Sequence, residues 1–229
     1  PINPTIEINF PQVSEKNSFN ISILRRENSY PMLVDGGYVM IQMNTRSLTL
    51  SSILSFHNLT SNNILIDVPN IGFISIETGD TVFLPPKFCQ IRTVNVMVNE
   101  TQKTVQIIKK RQFVEFDNFF LIVNFDIDPI SLISTITFNS PFYLQSFYPQ
   151  KLNVAIKNWR FEVYTSRLYP IDLISPSTSS LTIEISSENT IGKSKLKIRN
   201  ANDFTILKTE TEKDQPIFLF CQSIEKNGF

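Results

Sequence analysis

The residues able to do chemistry in this chain are few, and their spacing limits what each could do. Nucleophilic catalysis by a Ser–His–Asp or Cys–His set needs a histidine. The one histidine, His57, sits in Ser55-Phe56-His57-Asn58 at the end of an apolar piece, where a structural or surface role is expected. Cys89 and Cys221 lie far apart beside apolar, strand-like neighbours. With no CxxC and no metal-ligand spacing they read as two buried thiols, with a disulfide as the lesser alternative. One histidine and two distant cysteines give no zinc cluster. No GxSxG elbow, GxGxxG or P-loop pattern occurs. Asp126 and Asp128 are two apart, so on a strand end both carboxylates would project to one face and could share a hard cation such as calcium. Asp128 followed by Pro129 reads more simply as a helix N-cap with Pro at the first helical position. Trp159, the single Trp, is assigned to core or sheet packing. The chain is expected not to be an enzyme and to use no cofactor.

The sharpest local pattern is Lys193-Ser-Lys195-Leu-Lys197-Ile-Arg199. In extended backbone the four cations fall on one face, with Ser194, Leu196 and Ile198 on the other. Such a face could meet phosphates or an anionic partner. The plainer reading is an outer strand kept soluble and unpaired by its lysines. Arg25-Arg26 and Lys109-Lys110-Arg111 are short basic clusters expected in solvated turns. Three Asn-x-Ser/Thr sequons begin at Asn20, Asn58 and Asn99, and they matter only on a secretory route.

Period-two alternation must position all of these residues. The 229-residue chain has 19 Phe, and its only alanines are Ala155 and Ala201. Ile, Val, Thr and Phe favour pleated strands, and Ser and Asn favour the turns between them. Strands are expected at Phe19–Leu24, Tyr38–Met43, Ile64–Val68, Phe73–Glu77, Thr81–Leu84 and Ile91–Val98. Others are expected at Thr104–Ile108, Phe113–Phe116, Phe119–Asp126, Leu152–Tyr164, Leu181–Ser186, Lys193–Arg199, Phe204–Leu207 and Ile217–Ile224. Short helices are expected over Ile130–Ile136 and, ambiguously with a strand, over Arg46–Phe56. With 6 Gly and 13 Pro, the links should be longish loops rather than tight primed hairpins. Residues 1–17, with Pro1, Pro4 and Pro11 around Ile6-Glu-Ile8-Asn-Phe10, read as an extended N-terminal arm. Residues 18–229 read as one all-β, antiparallel β-sandwich, an eight-stranded jelly roll in outline. Two tandem sandwiches, splitting near 110 or 150, are the structural alternative.

Lys plus Arg and Asp plus Glu are 21 each, so net charge excludes a protein that coats polyanions along its whole surface. No apolar run approaches the length of a membrane helix. In size, element order and composition the whole chain resembles the jelly-roll capsid proteins of small icosahedral viruses, especially the picorna-like viruses. A minor capsid or penton jelly roll of a DNA virus fits almost as well. The resemblance carries no motif, so no site residue comes with it. It implies a self-assembling shell subunit in a virion, with identical or homologous subunits as partners. Packaged nucleic acid, met through Lys193, Lys195, Lys197 and Arg199, would be a further partner. Release from a polyprotein would fit Pro1. The alternative is a secreted or cell-surface β-sandwich that binds protein or carbohydrate through its loops.

Overall fold

The computed structural model describes the backbone of residues 5–8, 17–20, 29–34, 37–43, 47–86, 90–175, 177–178, 180–187, 190–197, 204–211 and 216–222, with side chains between 29 and 186. The chain divides into two compact units, 1–139 and 140–229. The described residues form strands in several mostly antiparallel sheets and no helix.

The first unit holds β1 (Thr5–Ile8), β2 (Asn17–Asn20), β3 (Ser29–Val34), β4 (Gly37–Met43), β5 (Leu48–Ser52), β6 (Leu54–Leu59) and β7 (Ile64–Val68). It continues with β8 (Gly72–Ile76), β9 (Thr81–Phe83), β10 (Thr93–Val98), β11 (Thr101–Gln106), β12 (Arg111–Phe116), β13 (Phe119–Ile127) and β14 (Ser134–Asn139). From the expected arm, β1 pairs antiparallel with β2, which lies almost wholly beyond it, and β3, β4 and β5 form a small meander.

The rest is a sandwich of two sheets, β11-β10-β7-β8 and β12-β13-β14-β6-β9. The chain changes sheet after β6, after β8, after β9 and after β11, and each crossing joins strands of opposite layers. Alternation decides which side chains meet. Ile64, Ile66 and Val68 of β7 and Val94, Val96 and Val98 of β10 point inward. They meet Leu54, Phe56, Phe116, Leu121, Ile136 and Phe138 from the other sheet in one core. Phe56 and Phe138 lie on neighbouring strands and stack with centroids 6.0 Å apart. Burying each such ring contributes about 1.5–3 kcal/mol.

The second unit contains β15 (Phe142–Gln145), β16 (Leu152–Ile156), β17 (Trp159–Val163), β18 (Leu168–Ile171), β19 (Ser180–Ser187), β20 (Thr190–Lys197), β21 (Phe204–Thr211) and β22 (Pro216–Gln222). A six-stranded sheet runs β17-β16-β19-β20-β21-β22, and among the described residues β15 pairs with β18 alone. Leu152, Val154, Ile156, Val163, Leu181, Ile183 and Ile185 form the sheet's apolar side. Phe142, Leu144, Tyr169 and Ile171 of the two-stranded layer pack against it.

The structure changes several expectations. The helix over Ile130–Ile136 is absent. Asp128 Oδ1 does accept the N–H groups of Ile130 (2.8 Å) and Ser131 (3.1 Å), and the Leu132 N–H returns to the Asp128 carbonyl at 2.8 Å. The turn then stops at Leu132, whose φ is +57°. Ser134–Asn139 enters the sheet as β14, between β13 and β6. The local cap forms, and long-range ladders set the path of the chain beyond it.

Arg46–Phe56 resolves into β5 and the start of β6, broken at Ile53. Leu152–Tyr164 is two strands, folded at Lys157-Asn158, with Lys157 at φ +53°. Tight primed hairpins also occur without glycine: Val98 pairs with Thr101, and Asn99 and Glu100 between them take φ of 47° and 69°. Strands β3, β15 and β18 were not expected. Pro31 and Pro170 lie inside β3 and β18, which among the described residues each pair on one side only, where a residue without an N–H is tolerated.

Candidate functional site: the outer strands and their aromatic side chains

Lys193, Lys195 and Lys197 lie on β20, opposite Glu184, Thr182 and Ser180 of β19. Cross-strand partners share a face, and Glu184 and Thr182 are exposed. Ser194 and Leu196 stand opposite Ile183 and Leu181, which are buried. The side chains of Lys193, Lys195 and Lys197 lie outside the described residues. Arg199 and Ile198 lie outside the described residues, as do Arg25-Arg26 and Cys89. Cys221 is on β22, opposite Thr205.

His57 is half-buried on β6, opposite Thr137 on β14 and Thr81 on β9. The ladder continues from Thr137 to Asn124 and Arg111, so a polar row crosses all five strands. Asp126 stands opposite Thr135, which bonds Ser55 through their hydroxyls at 3.1 Å. Asp128 is occupied by its turn, and those two backbone N–H groups hold its carboxyl below the ordinary value. No group of three or more His, Cys, Asp or Glu residues able to hold a metal ion occurs among the described residues.

The sequon at Asn58 is built into the fold. Asn58 is fully buried. Its Nδ2 donates to the carbonyls of Asn62 (2.8 Å) and Ile76 (3.0 Å). Its Oδ1 accepts the Thr60 N–H at 3.0 Å and the Thr60 hydroxyl at 2.7 Å. The side chain closes the bend between β6 and β7, and a glycan there is incompatible with this packing.

A second buried polar cluster gave no signal in the sequence, where its residues read as loop composition. Ser140, just before β15, donates its hydroxyl to Asp172, just after β18, and both are fully buried. The pair closes one end of the β15–β18 ladder. Burial pushes the nearby Tyr143 hydroxyl up; its bonds to Ser140 oppose that shift, and the charge of Asp172 adds to it.

Trp159 is half exposed, at 50%. It shares a strand face with Phe161 and Val163, and burial along that face falls from Val163 through Phe161 to Trp159. The apolar side of the sheet therefore outruns the layer that covers it. The indole forms one wall of a shallow depression with Ile156, Lys157, Phe161, Ile171, Leu173 and Ile174. Of the core or sheet packing expected for this residue, the place on the sheet holds, and enclosure in the core does not.

Four exposed Phe and Trp rings share a kind of position that Tyr38, exposed on the central strand β4, and Phe147 and Tyr164, exposed outside any strand, do not. Among the described residues, Phe73, Phe83, Phe113, Phe147 and Trp159 are the exposed Phe and Trp side chains. Phe73 lies on β8, Phe83 on β9, Phe113 on β12 and Trp159 on β17. Among the described residues each of those strands ends its sheet. Outer strands present unpaired backbone groups, and natural proteins usually blunt them with charge. Here they carry large apolar rings. The chain matches no protein-family model and no curated protein.

Proposed function

We infer that this protein is a structural subunit that associates with copies or homologues of itself, a capsid protein building an icosahedral shell. The observation that carries this reading is the placement of Phe73, Phe83, Phe113 and Trp159 on strands that end their sheets. Strands that end a sheet are usually blunted with charge, so large exposed rings at such positions favour contact with other macromolecules. A shell subunit needs several such surfaces, because each copy touches several neighbours. A rigid two-layer core suits that role, since it holds lateral contacts at fixed angles.

In this reading the two-sheet sandwich of the first unit takes the part of the jelly roll, elaborated by the parallel pairing of β6 with β14. Lys193, Lys195, Lys197 and Arg199 supply the face toward packaged nucleic acid or an acidic neighbour, and the protein resides in the virion. The loop-binding, secreted alternative draws less support, because the Asn58 sequon is consumed by internal hydrogen bonds.

Electron microscopy of purified protein over a series of concentrations and salt conditions tests the proposal. Closed particles of uniform diameter are the expected result. Protein that stays monomeric under every condition overturns it.

A further inference from the structure

One of the two strands that end the five-stranded sheet of the first unit has a charge pattern that complements itself. Strand β12 reads Arg111-Gln-Phe113-Val-Glu115-Phe116. Val114 and Phe116 face the core, so Arg111, Phe113 and Glu115 share the outer face, and all three are exposed. Phe113 is 59% exposed. The Arg111 guanidinium lies over the Phe113 ring, 5.4 Å from its centroid.

One edge of β12 pairs with β13 from Arg111–Asn124 to Phe116–Phe119. Among the described residues no strand pairs with its other edge. Gln112 instead seals the inner side of this rim: its Nε2 donates to the Gln106 carbonyl at 2.6 Å, and its Oε1 accepts the Gln106 N–H at 3.3 Å.

We propose that β12 is a two-fold contact, at which it pairs antiparallel with β12 of a second copy of this chain and joins two five-stranded sheets into one. An antiparallel pair centred on Phe113 places that ring opposite its own symmetry mate. The same register sets Arg111 opposite Glu115 of the second copy, and Glu115 opposite its Arg111. It also sets the exposed Lys109, in the turn before the strand, toward the exposed Asp117, in the turn after it. Cations precede the central ring and acids come after it, which is what a self-complementary interface requires. A parallel pairing in the same register would put like charges side by side, so the pattern selects the antiparallel arrangement. The cation over Phe113 holds the ring on the face where its mate arrives. The basic cluster Lys109-Lys110-Arg111 thereby becomes half of a docking surface rather than a solvated turn.

The inference rests on the assembly reading above, in that like copies meet, and it names one of the contacts. Sedimentation velocity on the full chain tests it, using Arg111→Glu, Glu115→Arg, the double exchange of both, and an equimolar mixture of the two single variants. Both altered side chains are exposed, so the variants are expected to fold, which their sedimentation as compact species checks. Wild type is expected to dimerise with concentration. Each single reversal is expected to weaken self-association by about tenfold or more. The double exchange and the mixture are expected to restore it, because both return opposite charges to facing positions.

A wild type that stays monomeric, single reversals that leave the dissociation constant unchanged, or a mixture no tighter than its components overturns the contact. Micrographs of the same samples separate this failure from that of the shell reading. Intact shells from Glu115→Arg remove the β12 contact and leave the shell. A charge-dependent dimer that never forms shells keeps the contact and removes the shell.

Discussion

Strand β12 carries Arg111, Phe113 and Glu115 at alternate positions, while strand β17 carries Arg160, Phe161 and Glu162 in succession. Both strands end their sheets. The residue types are the same and the spacing differs by one. In β12 the ring therefore shares the outer face with both charges. In β17 the charges point out and the ring points to the core, where Phe161 packs with Val154 and Val163.

The acids differ in the same way. Glu162 is engaged within its own chain, with Lys151 Nζ at 3.0 Å and the Tyr164 hydroxyl donating at 3.1 Å. Glu115 stands beside an exposed ring on a rim that no described strand covers. Composition thus does not distinguish a strand that ends a sheet from one placed to continue it, and the period of two does.

The contrast can be broken or sharpened by substitution. The largest effect is expected from Asp172→Ala, which leaves the buried Ser140 hydroxyl without its acceptor and loosens the layer covering Phe161. A loss of about 3 kcal/mol is expected in urea unfolding followed by Trp159 fluorescence. Phe161→Ala comes next. Its ring is half-buried rather than fully enclosed, so about 2 kcal/mol is expected by the same measurement.

Phe113→Ala should reverse that ranking. Its effect on unfolding should stay within about 0.5 kcal/mol, since the ring is mostly in solvent, while dimerisation in sedimentation velocity weakens. Equal destabilisation by the two phenylalanine changes would erase the distinction between the strands.

The smallest effect concerns Glu162, whose carboxyl is held below the ordinary 4.5, first by the hydrogen bond from Lys151 and then by that from Tyr164. A folded-state value below the unfolded one gives a contribution that is complete above the ordinary range. It disappears as pH falls through the depressed value. Carboxylate titration by NMR should place Glu162 below an ordinary glutamate, and Lys151→Met should raise it.

Much of the strand framework was legible because buried positions alternate. Ile64–Val68 matches β7 in full, and Phe119–Asp126 matches β13 to within a residue. Pairing was not legible, since it depends on segments far apart in sequence. Thr135 meets Ser55 across 80 residues, and that ladder overrode the Asp128-Pro129 helix signal. The site was half-readable. The lysine alternation of β20 is evident in the sequence, but the outer face of β12 is masked there because Arg111 groups naturally with the preceding lysines. Counting Arg111, Phe113 and Glu115 against the inward Val114 and Phe116 exposes the pattern.

The β6–β14 pairing also sets a timetable for biosynthesis. The five-stranded sheet lacks its middle until residues 134–139 have left the ribosome. Until then Phe56 and the apolar side of β13 have no partner strand between them, and closure must wait for a loop of about eighty residues to be drawn together. A nascent chain halted before Ser134 should therefore be sticky and protease-sensitive, and one halted well beyond Asn139 should resist digestion.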